Sequence, residues 1–153
     1  MEKEKRTRKQ MVAIRIEPYL AEYISAKYGT DGVSGGVRIP CTSDLYFCLW
    51  ENMTKCRANQ TPLADGNLRI FLPSRKAGID GSPWKDPAYY NHLSQAAVKE
   101  IENYIRKMFN FELHRVLLEN EEFGRSKRNL DVIYDFIDEY QLKSVSSDAL
   151  LKN

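Results

Sequence analysis

The feature that most constrains the fold is a helical periodicity that runs from Ala97 to Leu117. Apolar residues recur there at steps of three and four, the spacing of one face of an α-helix, at Ala97, Val98, Ile101, Ile105, Met108, Phe109, Leu113, Val116 and Leu117. Asn91 or Ser94 is the candidate N-cap, and Gly124 is a natural end. At ~1.5 Å per residue such a helix is roughly 35–40 Å long, about the width of a small domain, so it is expected to form the spine of the core.

A second helical pattern follows after a short basic joint, residues 123–129. Gly124 interrupts the period there, and three cations follow it, at Arg125, Lys127 and Arg128. Apolar residues mark the second helix at Leu130, Ile133, Tyr134, Ile137 and Tyr140. Asn129 is its expected cap. Two helices with so short a link are predicted to pack as a hairpin, and Ser146 or Ser147 is expected to cap a last short helix up to Leu151.

Three alternating segments, 11–17, 37–41 and 68–72, predict a small sheet. In the first, inward positions are expected at Val12, Ile14 and Ile16, and outward positions at Ala13, Arg15 and Glu17. A helix is expected from Pro18 to Gly29. Residues 45–53 fit either a helix or a buried strand. The predicted fold class is α+β, mainly α: a small sheet of about three short strands packed on a long-helix hairpin.

Length and composition narrow the class of protein. The 153 residues predict one globular domain, 11–153, after a basic arm, 1–10, that is expected to be disordered by itself. The formal net charge is only +2, so any polyanion binding has to come from local clusters of charge. With no signal peptide and no apolar run that could span a bilayer, a cytoplasmic location and no membrane partner are expected.

The sequence offers no recognisable catalytic constellation. The turn at 32–36 has neither the spacing nor the lysine of a phosphate loop. The cysteines, Cys41, Cys48 and Cys56, are odd in number and form no close pair, so free buried thiols are expected rather than a zinc site. The interpretation is a protein that is not an enzyme and has no cofactor and no metal.

Local clusters of cations favour nucleic acid, because phosphate contacts supply affinity without sequence choice. The candidate DNA-binding residues lie in the arm, the first strand, the 74–91 loop and the joint: Lys3, Lys5, Arg6, Arg8, Lys9, Arg15, Arg75, Lys76, Arg125, Lys127 and Arg128. The 74–91 loop also holds Trp84 and Tyr89, and cations mixed with aromatic residues are typical of sites that hold single strands. The alternative is that these aromatic residues close the edge of the core.

The basic arm, strand and helix of the first thirty residues resemble the opening of ribbon-helix-helix DNA-binding proteins. That resemblance implies that two copies pair their strands and that Ala13, Arg15 and Glu17 face the major groove. The chain departs from this pattern at residues 30–36, which are rich in glycine where the family has its second helix.

Two segments, 12–23 and 129–137, are similar to small DNA-binding proteins carried by bacterial conjugative transposons and prophages. This resemblance implies a role on the DNA of a mobile element. The leading hypothesis is therefore a non-catalytic DNA-binding protein. The alternative is a protein-interaction or assembly module, a homodimer among the options, that uses the 74–91 loop and the acidic face of the second helix, formed by Asp131, Asp135, Asp138 and Glu139.

Overall fold

A computed structural model describes residues 11–74, 85–124 and 127–151. Within them the chain forms two strands, β1 (Met11–Ile14) and β2 (Leu68–Phe71), and five helices. The helices are α1 (Pro18–Tyr28), α2 (Asp44–Asn52), α3 (Gln95–Glu122), α4 (Asn129–Glu139) and α5 (Ser147–Leu151). The predicted α+β, mainly helical class is confirmed. The basic arm, 1–10, lies outside the described residues.

The sheet pairs β1 with β2 in antiparallel register, so that Met11 lies opposite Phe71 and Ile14 opposite Leu68. Of the three predicted strands, two form. The segment at 37–41 contributes one isolated bridge, in which Val37 donates to Arg69 O (2.8 Å) and accepts from Phe71 N (3.0 Å). The pairing does not extend to a full strand because Pro40 has no N–H to donate to β2. The Pro40 carbonyl instead accepts a hydrogen bond from Ser43 N.

Serine side chains cap the N-termini of α2 and α3. The Ser94 hydroxyl accepts from Ala97 N at 3.0 Å, which confirms it as the cap of α3. The 45–53 segment forms a helix rather than a strand: α2 is capped by Ser43 and ends just before Met53. The expected cap Asn129 is wrong: it is the first residue of α4, and Arg128 occupies the cap position without a side-chain cap bond.

The core is built around α3, whose inward stripe is buried at Ile101, Ile105, Phe109 and Leu113. The Phe109 ring makes edge contacts with Tyr19 and Tyr23 of α1 and with Phe136 of α4, at centroid distances of 5.1 to 5.3 Å. The inward strand residues Val12, Ile14 and Ile16 are buried, as predicted.

The part of the 74–91 loop that is described is tied to α2. The Lys85 ammonium donates to Trp50 O (2.8 Å) and Met53 O (3.0 Å) and lies 4.6 Å from the centre of a Trp50 ring. A cation is favourable there because the last carbonyls of a helix lack intrahelical donors. Trp84 lies outside the described residues, and Tyr89 is exposed.

Cys41 is exposed, so the expectation of three buried thiols is wrong for this residue; Cys48 and Cys56 are half-buried, and all three are free. Cys41 is exposed because it lies after Pro40, in the turn before α2. In the described part of the chain, the helices are too short or too polar to cross a membrane.

Candidate nucleic-acid interface

The outer face of the sheet carries arginines where its core face carries aliphatic residues. Arg69 lies between the buried Leu68 and Ile70 of β2, and Arg38 follows the buried Val37. Because strand side chains alternate between faces, both arginines project away from the core, and both are exposed. This pair is called the sheet-face arginines below.

Phe71 forms the platform on which Arg38 lies. The Arg38 guanidinium is 4.5 Å from the centre of the Phe71 ring, a cation–π contact. The backbone of Gly36 lies unusually close to the Phe71 ring. A Cβ atom at Gly36 would lie 2.7 Å from a Phe71 ring carbon and 2.8 Å from the Met11 sulfur. Glycine at this position lets the 31–36 turn rest on the ring.

Arg69 is held by the same turn. Its Nη1 donates to Ser34 O at 3.0 Å, which uses one of its five N–H groups and leaves the guanidinium exposed. Ser34 also donates to Asp31 through its hydroxyl (2.7 Å) and its N–H (3.1 Å). These hydrogen bonds hold the pKa of Asp31 below its ordinary value, with a smaller contribution from the charge of Arg38.

Arg15, one of the predicted DNA-binding residues, lies just beyond the end of β1. Its Nη2 is 3.3 Å from Asp65 Oδ1, and both side chains are largely exposed. An exposed pair of this kind contributes roughly 0–1 kcal/mol, so Arg15 can exchange its carboxylate for a phosphate at small cost.

The two described cations of the basic joint are each matched by an acid of α4. Lys127 Nζ is 2.7 Å from Asp135 Oδ2, and Arg128 Nε is 3.2 Å from Asp131 Oδ2. These hydrogen bonds and charges raise the pKa of both cations. Asp131 and Asp135, two of the four residues expected to form a separate acidic face, therefore neutralise Lys127 and Arg128 locally and leave them less available to a phosphate than unpaired cations.

The remaining predicted DNA-binding residues lie outside the described residues: Lys3, Lys5, Arg6, Arg8, Lys9, Arg75, Lys76 and Arg125. The register of the sheet does show where the arm and the 75–84 segment join the described residues. The arm joins the sheet at Met11, the 75–84 segment follows the end of β2, and Met11 pairs with Phe71. Both basic segments are therefore attached to the same end of the sheet as the Arg38–Phe71 contact.

The strand arrangement implied by the ribbon-helix-helix resemblance differs from the one in this chain. β1 pairs with β2 of its own chain, and Ala13 N donates to Leu63 O at 2.9 Å. Ala13 lies on the outer face beside its strand partner Arg69, as expected, but it is only 4% exposed and is therefore not available to a groove. Arg15 and Glu17 are exposed, as expected.

Sequence reasoning missed both sheet-face arginines. The signal was present, because Arg38 and Arg69 each fall at the polar position of an alternating segment. Single arginines about thirty positions apart form no basic run in the sequence. Only strand pairing brings them to one face.

No family model matches this chain, and no curated protein or solved structure is significantly similar to it. Among the described residues, no group of three or more His, Cys, Asp or Glu side chains is arranged to hold a metal ion.

Proposed function

We propose that this chain is a cytoplasmic, non-catalytic DNA-binding protein that holds phosphates on the outer face of its sheet. The observation that carries the proposal is the pair of exposed arginines, Arg38 and Arg69, on one face at the end of the sheet where the two basic segments are attached. Guanidinium groups suit phosphate because their N–H groups match its oxygens, and the contacts to Phe71 and Ser34 orient them before binding.

The mobile-element setting of this proposal rests only on the resemblance of residues 12–23 and 129–137. The arm and the joint complete the proposed interface: the arm through its five cations, and Lys127 and Arg128 as cations that exchange Asp135 and Asp131 for phosphates. The acidic partners remain nearby, so the joint is expected to contribute less than the sheet-face arginines.

The test is fluorescence anisotropy with mixed-sequence duplex and single-stranded DNA at two salt concentrations. We expect affinity to fall steeply with salt, because counterions return to the DNA when the protein leaves it. The double variant Arg38→Gln with Arg69→Gln should bind at least about tenfold more weakly and should lower the salt slope by about two.

The double variant Lys127→Gln with Arg128→Gln is the matched control, because it removes the same formal charge from sites that are already paired. It should weaken DNA binding less than the Arg38→Gln, Arg69→Gln double variant does. Equal losses in the two double variants would overturn the sheet-face assignment. No binding to either form of DNA at low salt would overturn the function itself.

A second candidate function, an assembly module, is favoured by a different observation. Large apolar side chains are exposed on the described surface, among them Phe111 and Leu118 in the C-terminal half of α3 and Phe123 just after its end. Single exposed apolar residues are ordinary, but two that share one helix face favour a contact with protein.

A further inference from the structure

The outward face of α3 presents two large apolar side chains to solvent. Phe111 is 70% exposed and Leu118 is 59% exposed, although both belong to the helix whose opposite face forms the core. They are seven residues apart, which is two turns, so they lie on the same side of the helix. No described side chain covers either of them.

Charged residues flank this apolar pair on the same face. Lys107 precedes Phe111 by four residues, and Glu122 follows Leu118 by four residues. Both charged residues are exposed. Along the helix the order is therefore cation, apolar, apolar, anion, with equal spacing on the two sides of the centre.

This order is complementary to itself when a second copy lies antiparallel. In that arrangement Phe111 of one copy faces Leu118 of the other, and Lys107 faces Glu122. A two-fold axis between the apolar residues makes each contact twice, which is the pattern of an isologous interface. A parallel second copy would place like charges opposite each other.

We infer that the face of α3 defined by Lys107, Phe111, Leu118 and Glu122 is an antiparallel homodimer interface. The centre is polar: His114 of one copy lies across from Arg115 of the other, and Arg115 is held toward its own Glu119 at 3.9 Å. The apolar contacts and the outer ion pairs supply the attraction, and the central residues stay hydrated.

The charge pattern selects a second copy over other occupants. A nucleic acid would meet Glu119 and Glu122 on the same half of the helix, and their charges repel phosphate. A uniformly charged peptide would match one end of the face and oppose the other. The inference does not depend on DNA binding, because the sheet-face arginines take no part in it.

The area that this helix face can bury limits the affinity expected of the homodimer. Lys107 to Glu122 spans about 22 Å of helix at ~1.5 Å per residue. One helix face of that length buries less than the roughly 1,200–2,000 Å² of standard stable complexes. We therefore expect a dissociation constant in the micromolar range, on the order of ten to a hundred micromolar.

The experiment is sedimentation velocity on the full chain from about 1 to 500 µM, a range that brackets this expected dissociation constant. The native chain should shift from monomer to dimer over that range. Phe111→Ala and Leu118→Ala should each raise the dissociation constant about tenfold, as expected for central apolar contacts. Val33→Ala, which truncates an exposed apolar side chain on the 31–36 turn, is the control and should change nothing.

Charge reversal tests the register directly. Lys107→Glu alone and Glu122→Lys alone should each weaken the dimer, because each places like charges opposite each other. The two changes together should restore it, because the pairs re-form with their signs exchanged. Circular dichroism should show native helix content in every variant, since all four positions are exposed.

Three results would overturn the inference. The first is a native chain that stays monomeric at every concentration. The second is a dimer that Phe111→Ala and Leu118→Ala leave unchanged, which would place the interface elsewhere. The third is a double charge reversal that fails to restore association after both single reversals have weakened it. None of these results depends on the DNA titration, so the two proposals can fail separately.

Discussion

At the scale of single residues, Glu112 connects α3 to its two helical neighbours. Its carboxylate accepts hydrogen bonds from the Lys27 ammonium of α1 and from the Tyr140 hydroxyl at the end of α4. The Glu112 side chain is only 13% exposed. Burial by itself raises the pKa of this carboxyl, but the hydrogen bonds outweigh it and hold the pKa below the ordinary value of 4.5.

The lowered pKa of Glu112 makes stability depend on pH in a defined direction. A carboxyl whose pKa is depressed on folding contributes stability above its unfolded pKa and loses it as the pH falls through the folded value. Part of the native stability should therefore be present above about pH 4.5 and disappear below it. In Glu112→Gln this part of the acid dependence should be absent.

Urea unfolding at pH 7, 5, 4 and 3 measures this effect. At pH 7 the Glu112→Gln variant should be less stable by about 1–3 kcal/mol, because Lys27 loses its partner in a partly buried site. Glu119→Gln makes the same change at an exposed position of the same helix and should have little effect. If the stability of Glu112→Gln fell with pH as that of the native protein does, Glu112 would not be the source of this pH dependence.

At the scale of elements, the end of β1 depends on the absence of a side chain at Gly66. A Cβ atom there would lie 2.2 Å from Ile14 O and 2.8 Å from Ile14 N, both of them backbone atoms. The next residue, Asn67, fastens the same junction: its amide accepts from Ile16 N (3.0 Å) and donates to Ile16 O (2.6 Å). Backbone atoms of a paired strand cannot move aside as a flexible side chain can.

We expect Gly66→Ala to lower the free energy of unfolding by at least about 2 kcal/mol, through overpacking against this backbone. Gly32→Ala is the matched control, because a Cβ atom added at Gly32 would meet nothing within 4 Å. Thermal denaturation followed by circular dichroism compares the two. Equal midpoints would show that the β1 end can shift without cost.

At the scale of the whole molecule, Phe109 joins α1, α3 and α4 into one core. It is fully buried, and its ring meets aromatic rings of both neighbouring helices. Phe109→Ala should therefore destabilise the fold by about 3–5 kcal/mol, the cost of lost burial together with a cavity. Phe111→Ala, two residues away on the exposed face, should change the stability of the monomer by no more than about 0.5 kcal/mol.

Urea unfolding at low micromolar protein tests this contrast. Similar losses in the two variants would contradict the central position of Phe109. A large loss in Phe111→Ala that appears only at high protein concentration would report the dimer instead, since association stabilises the folded state by mass action.

The elements of this protein were largely predictable from local patterns. The period of three and four located α3, and Ser94 was correctly among its candidate caps. Pro18 and Gly29 marked the two ends of α1. These features depend on residues within a few positions of one another, and such short-range interactions leave a direct trace in the sequence. Residues 45–53 needed the structure, because a short apolar run fits a helix or a buried strand equally well.

The candidate site was decided by tertiary structure. Arg38 and Arg69 share a face because Val37 pairs with β2. Lys127 and Arg128 are neutralised because Asp135 and Asp131 of α4 lie within ion-pair distance of them. The local sequence was enough to locate α1 and α3, the Ser94 cap and the inward positions of β1, because each of these follows from the geometry of one segment. Which strand pairs with which, and which charges meet, depends on packing between segments that are distant along the chain, so only the tertiary structure could decide it.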